Sequence, residues 1–87
     1  MAQLPVKCPS CQHTLEVSEL SCGNCETKIS GIYGLPALMQ LSVEDQEFIL
    51  AFVLTGGSLK KMATQLGKSY PTVRNMLDDI IEQLNAK

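Results

Sequence analysis

A small α+β architecture is predicted for this chain of 87 residues, and three observations predict it. All four cysteines fall within the first 25 residues, as Cys8-Pro9-Ser10-Cys11 and Cys22-Gly23-Asn24-Cys25 with ten residues between the pairs. The rest of the chain is free of cysteine and carries its apolar residues at helical spacing. Within that remainder, Ser58 to Leu77 reads as two short helices meeting at a tight turn, punctuated by Gly67 and by Ser69-Tyr70-Pro71. The expected organisation is a zinc ribbon of short β-hairpins over residues 1–33, a packed connector over 34–41, and an all-α, three-helix helix-turn-helix domain over 42–87.

Composition bounds the reading before any motif is considered. A chain of this length builds one modest core or two very small modules, the smaller of which needs a staple. Hydrophobic residues make up 45% of the chain, too many for a disordered segment. The longest apolar run, Phe48 to Leu54, is too short to span a bilayer. The opening MAQLPVKCPS lacks a basic region followed by an apolar core, so a cytoplasmic protein is expected, and that compartment favours metal-bound thiolates over disulfides. The net charge of −2 argues against an indiscriminate nucleic-acid binder.

The two CxxC pairs carry the most specific signal. Two residues between ligands let a knuckle turn both sulfurs toward one point, and two knuckles complete a tetrahedron around one Zn²⁺ per chain, held by Cys8, Cys11, Cys22 and Cys25. Four thiolates close the coordination shell, so the ion is expected to hold the fold and to leave no position for water. Thr14 to Val17 alternates as a strand, and Lys28 to Tyr33 reads as another. Leu4, Val6, Leu15, Val17, Leu20, Ile29 and Ile32 are too few to hold about thirty residues, whereas metal binding contributes about 10 to 16 kcal/mol in zinc-finger peptides. The module is therefore expected to be unfolded without zinc. Lys7 and Lys28 offset part of the cluster's negative charge, but Glu16, Glu19 and Glu26 leave the module acidic, suited to contacting protein rather than phosphate. A thiol redox pair and a bound iron-sulfur or iron centre are the alternatives. His13 could replace a thiolate, but a full cysteine set makes it a solvent-exposed histidine.

Gly31, Gly34 and Pro36 mark the exit from the ribbon, and Leu35, Ala37, Leu38, Met39 and Leu41 form an apolar connector, expected to pack between the modules as a single helical turn. Ser42 then opens a helix, with Glu44, Asp45 and Glu47 at the positive end of its dipole, and Gly56-Gly57 stops it. Phe48 to Leu54 is apolar on every side, so this helix needs a second covering surface, either the connector or another copy of the chain. The last helix is expected from about Tyr70 to Leu84. Its stripe of Val73, Leu77, Ile80 and Leu84 fits either a coiled-coil seam or a core face. Asp78, Asp79 and Glu82 form a solvated face on its second half.

The window Leu59 to Asn75 holds four cations, Lys60, Lys61, Lys68 and Arg74, and no acidic residue. Gly67 can close the turn in a left-handed conformation, Ala63 lets the helices approach, and Ser69 can cap the second helix with Pro71 in its first turn. A local positive field around an exposed helix start suits phosphate and major-groove binding. By position, Ser69, Tyr70, Thr72, Arg74 and Asn75 enter the groove, where Arg can read guanine and Asn adenine. Lys60, Lys61 and Lys68 sit nearer phosphates. The plainer alternative is a surface helical corner whose cations are simply solvated.

CPSC, CGNC, the connector GIYGLPALMQLS and the stretch SLKKMATQLGKSYPTVRNMLDDIIEQL together resemble a family of small bacterial proteins, the domain of unknown function numbered 2089, that joins a zinc ribbon to a helix-turn-helix. The resemblance covers nearly the whole chain and implies a role in transcription. Lys68 departs from the usual pattern, standing where helix-turn-helix motifs carry an apolar residue just after the glycine.

These readings converge on a non-enzymatic, zinc-binding protein that binds DNA through its C-terminal helices as a homodimer and uses the acidic ribbon to contact itself or a protein partner. One histidine, no phosphate loop and no nucleophile elbow assemble no reaction. A different class, a protein-interaction adaptor that never touches DNA, is separated from it by salt dependence. A thiol redox sensor would release zinc reversibly on mild oxidation.

Overall fold

The computed structural model describes residues 4–86, so residues 1–3 and 87, the outer ends of the two expected domains, lie outside the described residues. The chain divides into two compact units, Met1–Gln40 and Leu41–Lys87.

The first unit is built on a two-stranded antiparallel sheet of β1 (Val17–Ser21) and β2 (Lys28–Tyr33). Leu20 faces Ile29 and Ser21 faces Lys28, and the register slips once between Val17 and Glu19. Thr14 lies outside β1, in an isolated bridge with Lys7. The alternating stretch Thr14 to Val17 is therefore not one strand. Its first residues pair backward, with Thr14 opposite Lys7 and the Leu15 amide donating to the Val6 carbonyl at 2.7 Å, and only from Val17 does the chain pair forward with β2.

These pairings expose an internal repeat. Shifted by 14 residues, the bridge Lys7 with Thr14 becomes the pair Ser21 with Lys28, and Val6 with Leu15 becomes Leu20 with Ile29. Each repeat is a short hairpin whose tip carries one CxxC. Little apolar surface is buried between them, since Leu20 and Ile29 are about half exposed and Ile32 is 82% exposed. At the end of β2 the Tyr33 ring lies across Gly31, close enough that a Cβ there would come within 2.9 Å of it. Past the sheet, a short 3-10 turn at Ala37–Gln40 supplies the single helical turn expected of the connector. Gln40 closes it by donating to the Leu35 carbonyl at 2.7 Å. Leu38 and Met39 are exposed, while Leu35 is buried and borders a hollow with Leu15 and Val17.

The second unit contains three helices, α1 (Val43–Leu54), α2 (Leu59–Leu66) and α3 (Tyr70–Asn85). All three begin on a serine whose hydroxyl accepts a backbone amide one turn inside: Ser42 from Asp45, Ser58 from Lys61 and Ser69 from Thr72. Each cap satisfies an amide that the helix itself leaves unpaired, a contribution of about 1 kcal/mol. α1 stops at Thr55, and Gly56 and Gly57 follow with positive φ. The Thr55 hydroxyl binds both sides of this turn, donating to the Phe52 carbonyl and accepting from the Ser58 amide.

The core gathers Leu41, Phe48, Leu59, Met62, Val73 and Ile80, with Met76, Leu77 and Leu84 packed against it. Val73, Leu77, Ile80 and Leu84 thus form the core face of α3, and the stripe is consumed inside its own unit rather than left as a coiled-coil seam. α1 behaves otherwise. It buries Phe48 and half-buries Ile49, Ala51 and Phe52, but leaves Leu50, Val53 and Leu54 61%, 65% and 77% exposed. No helix among the described residues is long and apolar enough to cross a membrane.

Candidate metal centre and nucleic-acid interface

The cysteine pairs sit in two knuckles with the same hydrogen bonds. In the first, the Cys8 amide donates to the His13 carbonyl at 2.9 Å and the Gln12 amide to the Cys8 carbonyl at 2.9 Å. In the second, the Cys22 amide donates to the Thr27 carbonyl at 2.7 Å and the Glu26 amide to the Cys22 carbonyl at 2.9 Å. Closing so tight a loop requires a left-handed residue after the second cysteine, and Gln12 (φ 65°) and Glu26 (φ 64°) supply it. They are the non-glycine residues of positive φ among those described. The conformation costs a side-chain-bearing residue about 1–2 kcal/mol. Nothing in the residue types Gln and Glu announces it.

Backbone amides point at the sulfurs from inside the knuckles, as in the 3.4 Å bond from the Asn24 amide to Cys22 Sγ. Hydrogen bonds from the backbone of Cys11 and then of Ser10, followed by the Cys11 thiol, hold the Cys8 thiol below its ordinary range. The Thr27 hydroxyl, whose Oγ1 lies 3.0 Å from Cys25 Sγ, and then the Thr27 amide and the Cys22 thiol, lower Cys25 in the same way. Donors that stabilise a thiolate are what a soft, sulfur-bound ion requires of its surroundings. The paired thiols and the knuckle shape are therefore consistent with sulfur ligation of a metal. Within each knuckle the two sulfurs lie near one another, but among the described residues no group of three or more His, Cys, Asp or Glu side chains is gathered around a common point. His13 is exposed, and Lys28 pairs weakly with Glu19 at 3.9 Å.

In the second unit, the turn between α2 and α3 is fixed by its backbone. Gly67 takes the left-handed conformation (φ 66°), its amide donates to the Thr64 carbonyl, and the Lys68 amide reaches back to the Ala63 carbonyl at 3.0 Å. This is a Schellman cap, which satisfies two carbonyls at the end of α2. Such caps commonly add an apolar contact from the residue after the glycine, and here that residue is the exposed Lys68. Ala63 packs against the core where α2 meets the other helices.

Lys60, Lys61, Lys68, Ser69, Tyr70, Thr72, Arg74 and Asn75 are all exposed. Lys60 and Lys61 border an open hollow with Ser58, Thr64 and Gln65 on α2, and Tyr70 leaves half its surface to solvent. Ser69 and Thr72 share a hydroxyl bond of 2.8 Å, so both side chains are already engaged in capping α3. Arg74 is paired with Asp78 one turn further along α3, through Nε at 3.3 Å. That pairing was available to sequence reading as an i,i+4 spacing.

Among known protein families, two adjoining models match the chain. The ribbon model of DUF2089, described as a zinc ribbon, matches residues 8–39. A second, described as a DUF2089 domain of unknown function with a helix-turn-helix, matches residues 41–87. No curated protein and no solved structure matches it.

Proposed function

The chain belongs to the DUF2089 family of zinc-ribbon and helix-turn-helix proteins, and on that premise we propose that it is a non-enzymatic regulator that binds duplex DNA through α2 and α3. One observation carries this reading: from Leu59 to Asn75 the surface offers four exposed cations and no carboxylate, around the serine-capped start of α3. Lys60, Lys61 and Lys68 engage phosphates, which position the protein. Tyr70, Arg74 and Asn75 face base edges, with Ser69 and Thr72 ordering the helix start beside them. Four cations grip weakly, and a homodimer linking two half-sites compensates by raising the effective concentration of the second contact. The exposed Leu50, Val53 and Leu54 of α1 favour such a pairing.

The ribbon is the structural and protein-contact module of this reading. Cys8, Cys11, Cys22 and Cys25 would hold one Zn²⁺, which supplies a closed tie between the knuckles and no reaction. The knuckles' matched hydrogen bonds and sulfur-directed amides support that assignment.

The test is retention of the zinc-loaded protein on random duplex DNA at two salt concentrations, with its mass in solution recorded alongside. Retention that falls steeply with salt and enriches a two-part site, together with a dimeric mass, is expected. No retention at low salt would overturn the DNA reading in favour of a protein adaptor.

A further inference from the structure

The 14-residue repeat places Thr27 where the first knuckle has His13. Both residues give their carbonyl to the amide of the first cysteine of their own knuckle. Their side chains differ. Thr27 Oγ1 lies 3.0 Å from Cys25 Sγ, whereas His13 presents an imidazole to solvent at the same position.

We propose that Thr27 is a positioning residue of the metal centre, its hydroxyl fixing Cys25 Sγ. This inference rests on the zinc reading above. Three features place that hydroxyl. The Thr27 carbonyl is anchored at 2.7 Å by the Cys22 amide, Lys28 beyond it enters β2, and the β-branched side chain has few rotamers to choose among. The hydroxyl is thus held on the sulfur by the backbone on both sides. A zinc-bound thiolate keeps lone pairs after coordination, and a hydroxyl donating to one orients the sulfur and spreads its charge. Groups of this kind typically govern metal affinity by 10–100-fold, and the exposure of both partners here lets water compete, which sets the expectation near about tenfold.

The experiment titrates full-length protein with Co²⁺, reading the sulfur-to-metal charge-transfer absorption, and then measures Zn²⁺ affinity by chelator competition. Thr27→Val, which keeps the branched shape and loses the hydroxyl, is expected to lower Zn²⁺ affinity by about tenfold. Thr27→Ser should restore it to within about threefold of the parent, and His13→Val should change it by less than about threefold, each well below the range expected for loss of an outer-shell donor. An unaltered cobalt spectrum at saturating metal certifies that Thr27→Val still assembles the site. Parent protein that shows no thiolate absorption would sink the zinc reading itself. Normal parent binding with unchanged affinity in Thr27→Val would overturn only the role of Thr27. An equal loss in His13→Val would mark the effect as a general response to substitution at the base of a knuckle and overturn the specific role of the Thr27 hydroxyl.

Discussion

Arg74 Nε lies 3.3 Å from Asp78 Oδ1, so the single arginine of the chain is tethered to a carboxylate on its own helix. Both side chains are about half exposed, which limits the pair to about 0.3–0.5 kcal/mol of helix stability. That is small beside a forked contact to guanine, worth about 1–3 kcal/mol, so under the proposed function DNA would take Arg74 from Asp78 at little cost.

The consequence is a pair of opposite effects on DNA affinity. Arg74→Ala should weaken binding by about tenfold, while Asp78→Asn should strengthen it severalfold at low salt and leave thermal stability nearly unchanged. Fluorescence anisotropy on duplex DNA measures both, and unchanged affinity in Arg74→Ala would remove that residue from the recognition surface.

Gly67 is required by its dihedral rather than by space, since a Cβ added there meets nothing within 4 Å but the backbone is left-handed. Gly67→Ala should cost about 1 kcal/mol, and Gly67→Asn less, because asparagine tolerates that region. Urea unfolding followed by far-UV circular dichroism reads the difference. Equal stabilities would mean that the turn relaxes out of its cap.

The knuckles invite the converse change. Gln12→Gly or Glu26→Gly should stabilise the metal-loaded ribbon by about 0.5–1 kcal/mol, the left-handed penalty outweighing the added freedom of the unfolded glycine. Chelator competition with each variant provides the measurement, and weaker metal retention in both would count against strain at these positions.

Metal removal should divide the molecule. The core around Met62 and Val73 draws on residues of the second unit alone, whereas the ribbon leaves Leu20, Ile29 and Ile32 exposed. With chelator, amide exchange at Leu15 and Cys22 should rise to unprotected rates while the amides of α2 and α3 keep their protection. Persistent protection at Cys22 would show that the ribbon folds without metal.

Much of this arrangement was legible in the residues. Ser42 and Ser69 announce their helices because a hydroxyl before an apolar period has few other uses, and Gly67 announces the turn. Ser58 caps α2 equally well, but in the sequence it follows Gly56-Gly57 and reads as part of that turn. Thr14 to Val17 alternates without being one strand, because alternation records which side chains share a face, not which partner they pair with. The repeat could have been found from the matched cysteine spacing. The left-handed Gln12 and Glu26 could not, since their residue types favour other conformations. At the candidate interface, composition gives exposure and charge, but the engagement of Arg74 by Asp78 and of Thr72 by Ser69 depends on side-chain geometry.

The 14-residue repeat also bears on the order in which the chain acquires structure. Each knuckle closes between residues five apart, and its stem pairs residues seven apart, so each hairpin tip forms from contacts of low sequence separation. Loops of this size close in roughly 10–100 ns, and N-terminal segments leave the ribosome first. On the zinc reading proposed above, both knuckles are therefore closed early and ready to share their ion before the helical unit is complete.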